Sequence, residues 1–141
     1  MRNETSCLDE KVRVTGLEID RSYYKRFTPK PMEEGYLNCT LGKADPQKLQ
    51  ILIAHNPDYF PDYARWGADI VLSGHIHGGV IRLPFLGGVA SPAIRFFPRY
   101  DGGRYQEGGS TMLLSKGLGM HTIPVRMFNP GELVFFTVKR K

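Results

Sequence analysis

Three histidines carry most of the chemistry this sequence offers. His55 follows the apolar run Gln50-Ile51-Leu52-Ile53-Ala54. His75 and His77 follow a second run, Ala68-Asp69-Ile70-Val71-Leu72, inside the stretch Ser73-Gly74-His75-Ile76-His77-Gly78-Gly79. Neutral imidazole is a common ligand for zinc, iron and nickel, and a metal site needs several such groups held convergently by rigid elements. A buried histidine is otherwise most simply a hydrogen-bonded core residue. That reading fits one histidine better than three of the chain's four placed at strand ends. The spacing sets neither the number of ions nor their identity. The nearest acids do not complete a site: Asp58 reads as a helix cap, Asp62 as a residue on a surface helix, and Asp69 as the far end of a strand. Three imidazoles alone would hold a dication without neutralising it.

The elements that must position these histidines follow from the surrounding pattern. Residues 1–11 are polar and irregular. Lys11 to Ile19 alternates and reads as a strand interrupted at Gly16. Residues 20–43 read as a short helix and a loop, their tyrosines as packing groups. Asp45-Pro46 has the form of a helix start, a capping residue followed by proline, but the helix must be very short because Leu49–Ala54 already reads as a buried strand. Asp58 is placed to cap a helix over Tyr59–Trp66, with Gly67 ending it and Pro61 in its first turn. Asp69–Ser73 is the next strand. Strand, short helix, strand predicts a βαβ unit and a parallel sheet. Loops leaving the carboxyl ends of neighbouring parallel strands meet in one crevice, where His55, His75 and His77 would then lie. Glycines at 74, 78 and 79 allow sharp turns there. Further on, Thr111–Ser115 and Leu133–Val138 read as strands, the latter apolar on both faces. The fold class expected is α/β.

The chain has 141 residues, enough for one domain with a real core. Its net charge of +5 is spread along the chain; the clusters are only Lys25-Arg26 and Lys139-Arg140-Lys141. A nucleic-acid surface gathers its cations on a face or stripe, so nucleic acid is not the expected partner. Mild positive charge suits a phosphate-bearing substrate. The two cysteines, Cys7 and Cys39, form no C-x-x-C pair, which excludes a zinc ribbon and argues against a disulfide scaffold. No stretch approaches the roughly 18 apolar residues of a membrane span. The N-terminus Met1–Ser6 is polar, so the chain as read is expected in the cytoplasm unless a membrane or export segment lies upstream.

Three stretches resemble the C-terminal half of the calcineurin-like metallophosphoesterases. They are Ala54-His55-Asn56-Pro57, Leu72-Ser73-Gly74-His75-Ile76-His77-Gly78-Gly79 and Ile81-Arg82-Leu83-Pro84. The likeness is strongest to a bacterial branch of predicted phosphohydrolases. Gly16-Leu17-Glu18-Ile19-Asp20, Gly117-Leu118-Gly119 and Pro124-Val125-Arg126 share it. The resemblance implies the C-terminal half of a four-layer α-β-β-α sandwich and a metal-dependent phosphoester hydrolase. His55 and His75 would bind one ion of a binuclear centre and His77 the other. The two divalent ions (Mn, Fe, Zn, Ni or Mg) would support attack of a metal-bound hydroxide on phosphorus.

The chain departs from that family in its acidic motifs. D-x-H, G-D-x-x-D and G-N-H-[DE] do not occur in these residues. Residues 1–141 are therefore expected to form a single partial domain that binds metal weakly and is inactive alone. The alternative is a catalytically inactive fragment, or an interaction or complementation module that pairs with a separate N-terminal half. Among smaller candidates, Arg82 could reach a substrate phosphate through its guanidinium, and His121 could line the same crevice. Arg126 is expected to form a structural ion pair and Asn56 to set the turn before Pro57. Phe96-Phe97-Pro98 is either a hydrophobic lip or core.

Overall fold

The computed structural model describes residues 2–24, 30–77, 81–83, 87–90, 99–119 and 126–139. Among the described residues, the strands run in the order β1 (Glu4–Cys7), β2 (Val12–Leu17), β3 (Leu49–Ala54), β4 (Ile70–Ser73), β5 (Ile81–Leu83), β6 (Gly87–Ala90), β7 (Gly103–Glu107) and β8 (Ser110–Leu114). The short helices among the described residues are α1 (Tyr36–Leu41) and α2 (Phe60–Trp66). Six strands form one sheet in the order β1-β2-β3-β4-β8-β7, and β5 and β6 form a separate hairpin. The four central strands, β2, β3, β4 and β8, are mutually parallel, and the two edge strands are antiparallel to their neighbours. The fold is α/β, with the expected β3–α2–β4 unit at its centre.

Register divides the sheet into two unlike faces. Thr15, Leu52, Val71 and Met112 stand level in adjacent strands, and all are essentially buried. Phe60 and Tyr63 of α2 are fully buried in the same core, with Ala54, Leu114 and Tyr59. The opposite face carries Val14, Ile51, Ile53, Leu72 and Leu113, and Ile53 is 42% exposed. Beside it, Leu133, Val134 and Phe136 help line an open cavity of about 430 Å³ together with Ile53, Leu72 and Leu113. Leu133–Val138 is thus not a strand: it is irregular, and its Phe135 is 86% exposed. A run apolar on both faces forms a ladder only where it meets a strand edge, and this one lies beside a sheet face instead.

Local capping also differs from expectation. Asp45 makes no helix; its side chain accepts from the Gln47 N–H at 3.0 Å and closes a turn. Aspartate before proline serves either purpose, and only six residues then remain before the core of β3. The chain enters α2 through a 3₁₀ turn, Pro57–Tyr59, whose cap is Asn56 rather than Asp58. The Asn56 side chain accepts the Asp58 N–H at 3.0 Å, as its expected role in this turn requires. Gly67 ends α2 in the left-handed region, φ 111°. The expected helix after residue 20 is one 3₁₀ turn, Arg21–Tyr24, and α1 follows at residue 36. Tyr23 packs on Tyr36 and Tyr59, in keeping with its reading as a packing residue.

The exit from β4 is strained. Gly74 N–H and Ser73 Oγ both donate to the His55 carbonyl, at 3.2 and 3.1 Å, which ties the ends of β3 and β4 together. The Ile76 N–H then returns to the Gly74 carbonyl at 2.8 Å, around His75 with φ 69°. This is a γ-turn of the rare hand, and His77 at φ 51° continues in left-handed backbone.

Two outcomes test this description. Leu52→Ala should cost about 2–5 kcal/mol in urea unfolding, while Ile53→Ala on the open face should cost no more than about 1 kcal/mol. Equal losses would contradict the two-faced core. At position 75, glycine should be more stable than alanine by about 1 kcal/mol, because only glycine enters the left-handed region without strain. An alanine variant as stable as the glycine one would remove the γ-turn.

Candidate metal centre

Four loops meet at one edge because four parallel strands end there. The segment after β2 brings Tyr24, β3 runs into His55, β4 into His75 and His77, and β8 into Gly117–Gly119. This is the crevice in which open α/β sheets bind ligands. Asn56 stiffens the floor behind His55: it is buried, and its carbonyl accepts the Tyr63 hydroxyl at 2.9 Å. Burial holds the Tyr63 phenol well above its usual pKa, so it remains a neutral donor.

His55 and His75 come together. His55 Nε2 and His75 Nδ1 are 3.3 Å apart, with ring centroids at 5.0 Å and planes crossing at 73°. Two neutral imidazoles can share one N–H···N hydrogen bond at that distance. Two nitrogens bound about 2.0–2.1 Å from one tetrahedral zinc also stand roughly 3.3–3.4 Å apart. The pair therefore has the separation of two ligands of one ion. Tyr24 also packs edge-on against His75, at 5.2 Å between centroids. Its phenol is held above its usual pKa, by burial first and by the Glu18 charge second. By its local pattern Tyr24 is a packing residue, with nothing to signal a place beside the histidines.

His77 faces a different wall. Its ring lies against the loop after β8: a Cβ on Gly119 would stand 3.2 Å from His77 Cε1. Its carbonyl accepts the Asn129 side-chain N–H at 2.6 Å. Among the described residues, no three His, Cys, Asp or Glu side chains converge as a metal-binding group. Asp69 accepts the Gln50 N–H at 2.7 Å at the amino end of β4, the end of the sheet away from the histidines. Asp62 pairs with Arg65 on α2. Arg126, expected in an ion pair, instead donates to the carbonyls of Lys116, Gly117, Gly119, Asn129 and Pro130. The Arg82 side chain, His121 and Phe96-Phe97-Pro98 lie outside the described residues. No described helix is long and apolar enough to cross a membrane.

No family model and no solved structure matches the chain. Named relatives do. The uncharacterized metallophosphoesterase YkuE of Bacillus subtilis is 35% identical over 100 residues, 71% of this chain and 34% of that protein. A metallophosphoesterase of Aquifex aeolicus is 35% identical over 102 residues, 72% of this chain and 37% of its own length. UDP-2,3-diacylglucosamine pyrophosphatase LpxG of Chlamydia trachomatis is 29% identical over 85 residues, 60% of this chain and 23% of that protein. The matches thus span between 23% and 37% of each relative's length. With paired histidines at the carboxyl edge of a parallel sheet, the chain is similar, over about 70% of its length, to part of several metallophosphoesterases.

Proposed function

We propose that this chain forms the histidine wall of a two-metal phosphoester hydrolase, corresponding to the C-terminal part of its relatives. The observation that carries the reading is the 3.3 Å approach of His55 Nε2 to His75 Nδ1 at adjacent strand ends. These two imidazoles would hold one divalent ion, and His77, set on the neighbouring wall, would hold the second. Ions held there supply Lewis acidity toward phosphoryl oxygens and lower the pKa of water. The chain's own part is to fix nitrogen donors on strand ends, where a tethered backbone keeps them in place. Neutral histidines leave the charge of two dications uncompensated, so the carboxylates of a working site come from outside the residues present here.

The substrate class is a phosphoester or pyrophosphate, as the names of the relatives indicate. The partly exposed apolar face of the sheet supports the finer fold assignment. Ile53, Leu72 and Leu113, with Leu133, Val134 and Phe136 beside them, form the inner face of a sandwich whose second sheet is supplied by further family sequence. Residues 1–141 act in this view as one partial domain. The same face favours a second reading, a complementation module that docks on a separate N-terminal half without catalysis of its own.

The 141-residue chain should bind zinc or manganese weakly and should not turn over bis-p-nitrophenyl phosphate. Its residual zinc affinity should fall at least about tenfold, about 1.4 kcal/mol, in either His55→Ala or His75→Ala, as isothermal titration would read. Zinc affinity unchanged in both variants would end the metal reading. Turnover by the chain alone, lost in His75→Ala, would keep the hydrolase and overturn its division into two parts.

A further inference from the structure

Three of the four non-glycine residues with positive φ among those described lie close together: His75, His77 and Phe128. Backbone strain of this kind costs of order 1–3 kcal/mol per residue and persists only where surrounding contacts over-determine it. At His75 the ties from β3 to β4 supply those contacts. At His77 they come from residues 126–132.

Arg126 spreads its guanidinium over two loops. Its Nε donates to Asn129 O at 2.9 Å, one terminal nitrogen to Gly117 O and Gly119 O at 3.1 and 2.8 Å, and the other to Pro130 O and Lys116 O at 3.2 and 3.4 Å. Glu132 adds a second stitch: its N–H donates to Gly117 O at 3.0 Å and its carboxylate accepts the Lys116 N–H at 3.0 Å. The result is a rigid turn that presents Asn129, which is buried and donates to the His77 carbonyl at 2.6 Å. On the other side, Gly119 leaves the space that the His77 ring occupies, since any Cβ would press on Cε1 at 3.2 Å.

We propose that Arg126 and Asn129 are positioning residues for His77: Asn129 holds its strained backbone, and Arg126 locks both Asn129 and the Gly117–Gly119 wall on which the imidazole rests. Metal ligands are generally oriented by such supporting contacts, whose loss costs roughly 10–100-fold in affinity. That His77 meets a metal rests on the function proposed above; that Arg126 and Asn129 set its geometry does not.

The test uses the full 141-residue chain and ¹⁵N-imidazole NMR, with histidine signals assigned from single His→Gln variants. Asn129→Asp removes the donor while keeping the shape, Arg126→Lys keeps the charge but loses the fork, and Gly119→Ala fills the ring's space. Each should shift the His77 ring signals and leave those of His55 and His75 in place. Manganese(II) added to each variant should broaden His77 about tenfold less effectively than in the parent chain, with unchanged broadening of His55 and His75. An unmoved His77 signal in Asn129→Asp and Arg126→Lys would overturn the proposal, as would equal shifts of all three histidines. If manganese broadens no histidine in the parent chain, the metal reading fails, and the ring shifts still decide the positioning. Should Gly119→Ala not fold, the two isosteric and charge-preserving variants carry the test.

Discussion

The row Thr15–Leu52–Val71–Met112 is the constraint on which the remaining geometry depends. These four side chains lie level across the parallel strands and are essentially removed from water under Phe60 and Tyr63. Because side chains alternate along a strand, a slip of one residue in any pairing would turn a buried member of the row to the open face. The row therefore fixes register, and register fixes where each strand stops. His55 and His75 come within 3.3 Å because Ile53 is paired with Leu72, two residues before His55 and three before His75. A hydrophobic requirement deep in the sheet is thus converted into the placement of two nitrogens at its rim.

Much of this could be read from residue order. Two apolar runs, each closed by a histidine, announce two strand ends, and the short segment between them announces a parallel connection. The open face could be anticipated only in outline. Leu133–Val138 has the composition of a buried strand, yet strand formation needs a partner edge, and no local pattern tells whether one is present. Asp45 and Asp58 show the same limit at smaller scale. An aspartate beside proline fits a cap, a turn or an exposed residue equally well, and the choice is made by how many residues remain before the next core position.

The placement of the candidate imidazoles at strand ends could be read from the sequence, and the contacts that support them could not. Tyr24 reaches His75 only because β2 ends level with β3, which is a property of the sheet and not of the residues around Tyr24. Arg126 and Asn129 act on backbone carbonyls. A carbonyl is present at every position, so such contacts leave no trace in residue types. An arginine in a sequence suggests a carboxylate partner, whereas a planar fork is equally suited to gathering several carbonyls from loops that have no ladder of their own.

The partners of the two histidine elements differ in how far apart they lie along the chain. His55 and His75 are separated by 20 residues, nearly all of them inside one strand–helix–strand unit, while His77 is held by Asn129, 52 residues away. Closing the longer loop costs more chain entropy and requires β8 to be in place first. Folding should then assemble the edge in two stages, with the imidazole pair set early and His77 brought to its final conformation last. The same order run backwards makes His77 the first part of the edge to be released when the chain opens locally.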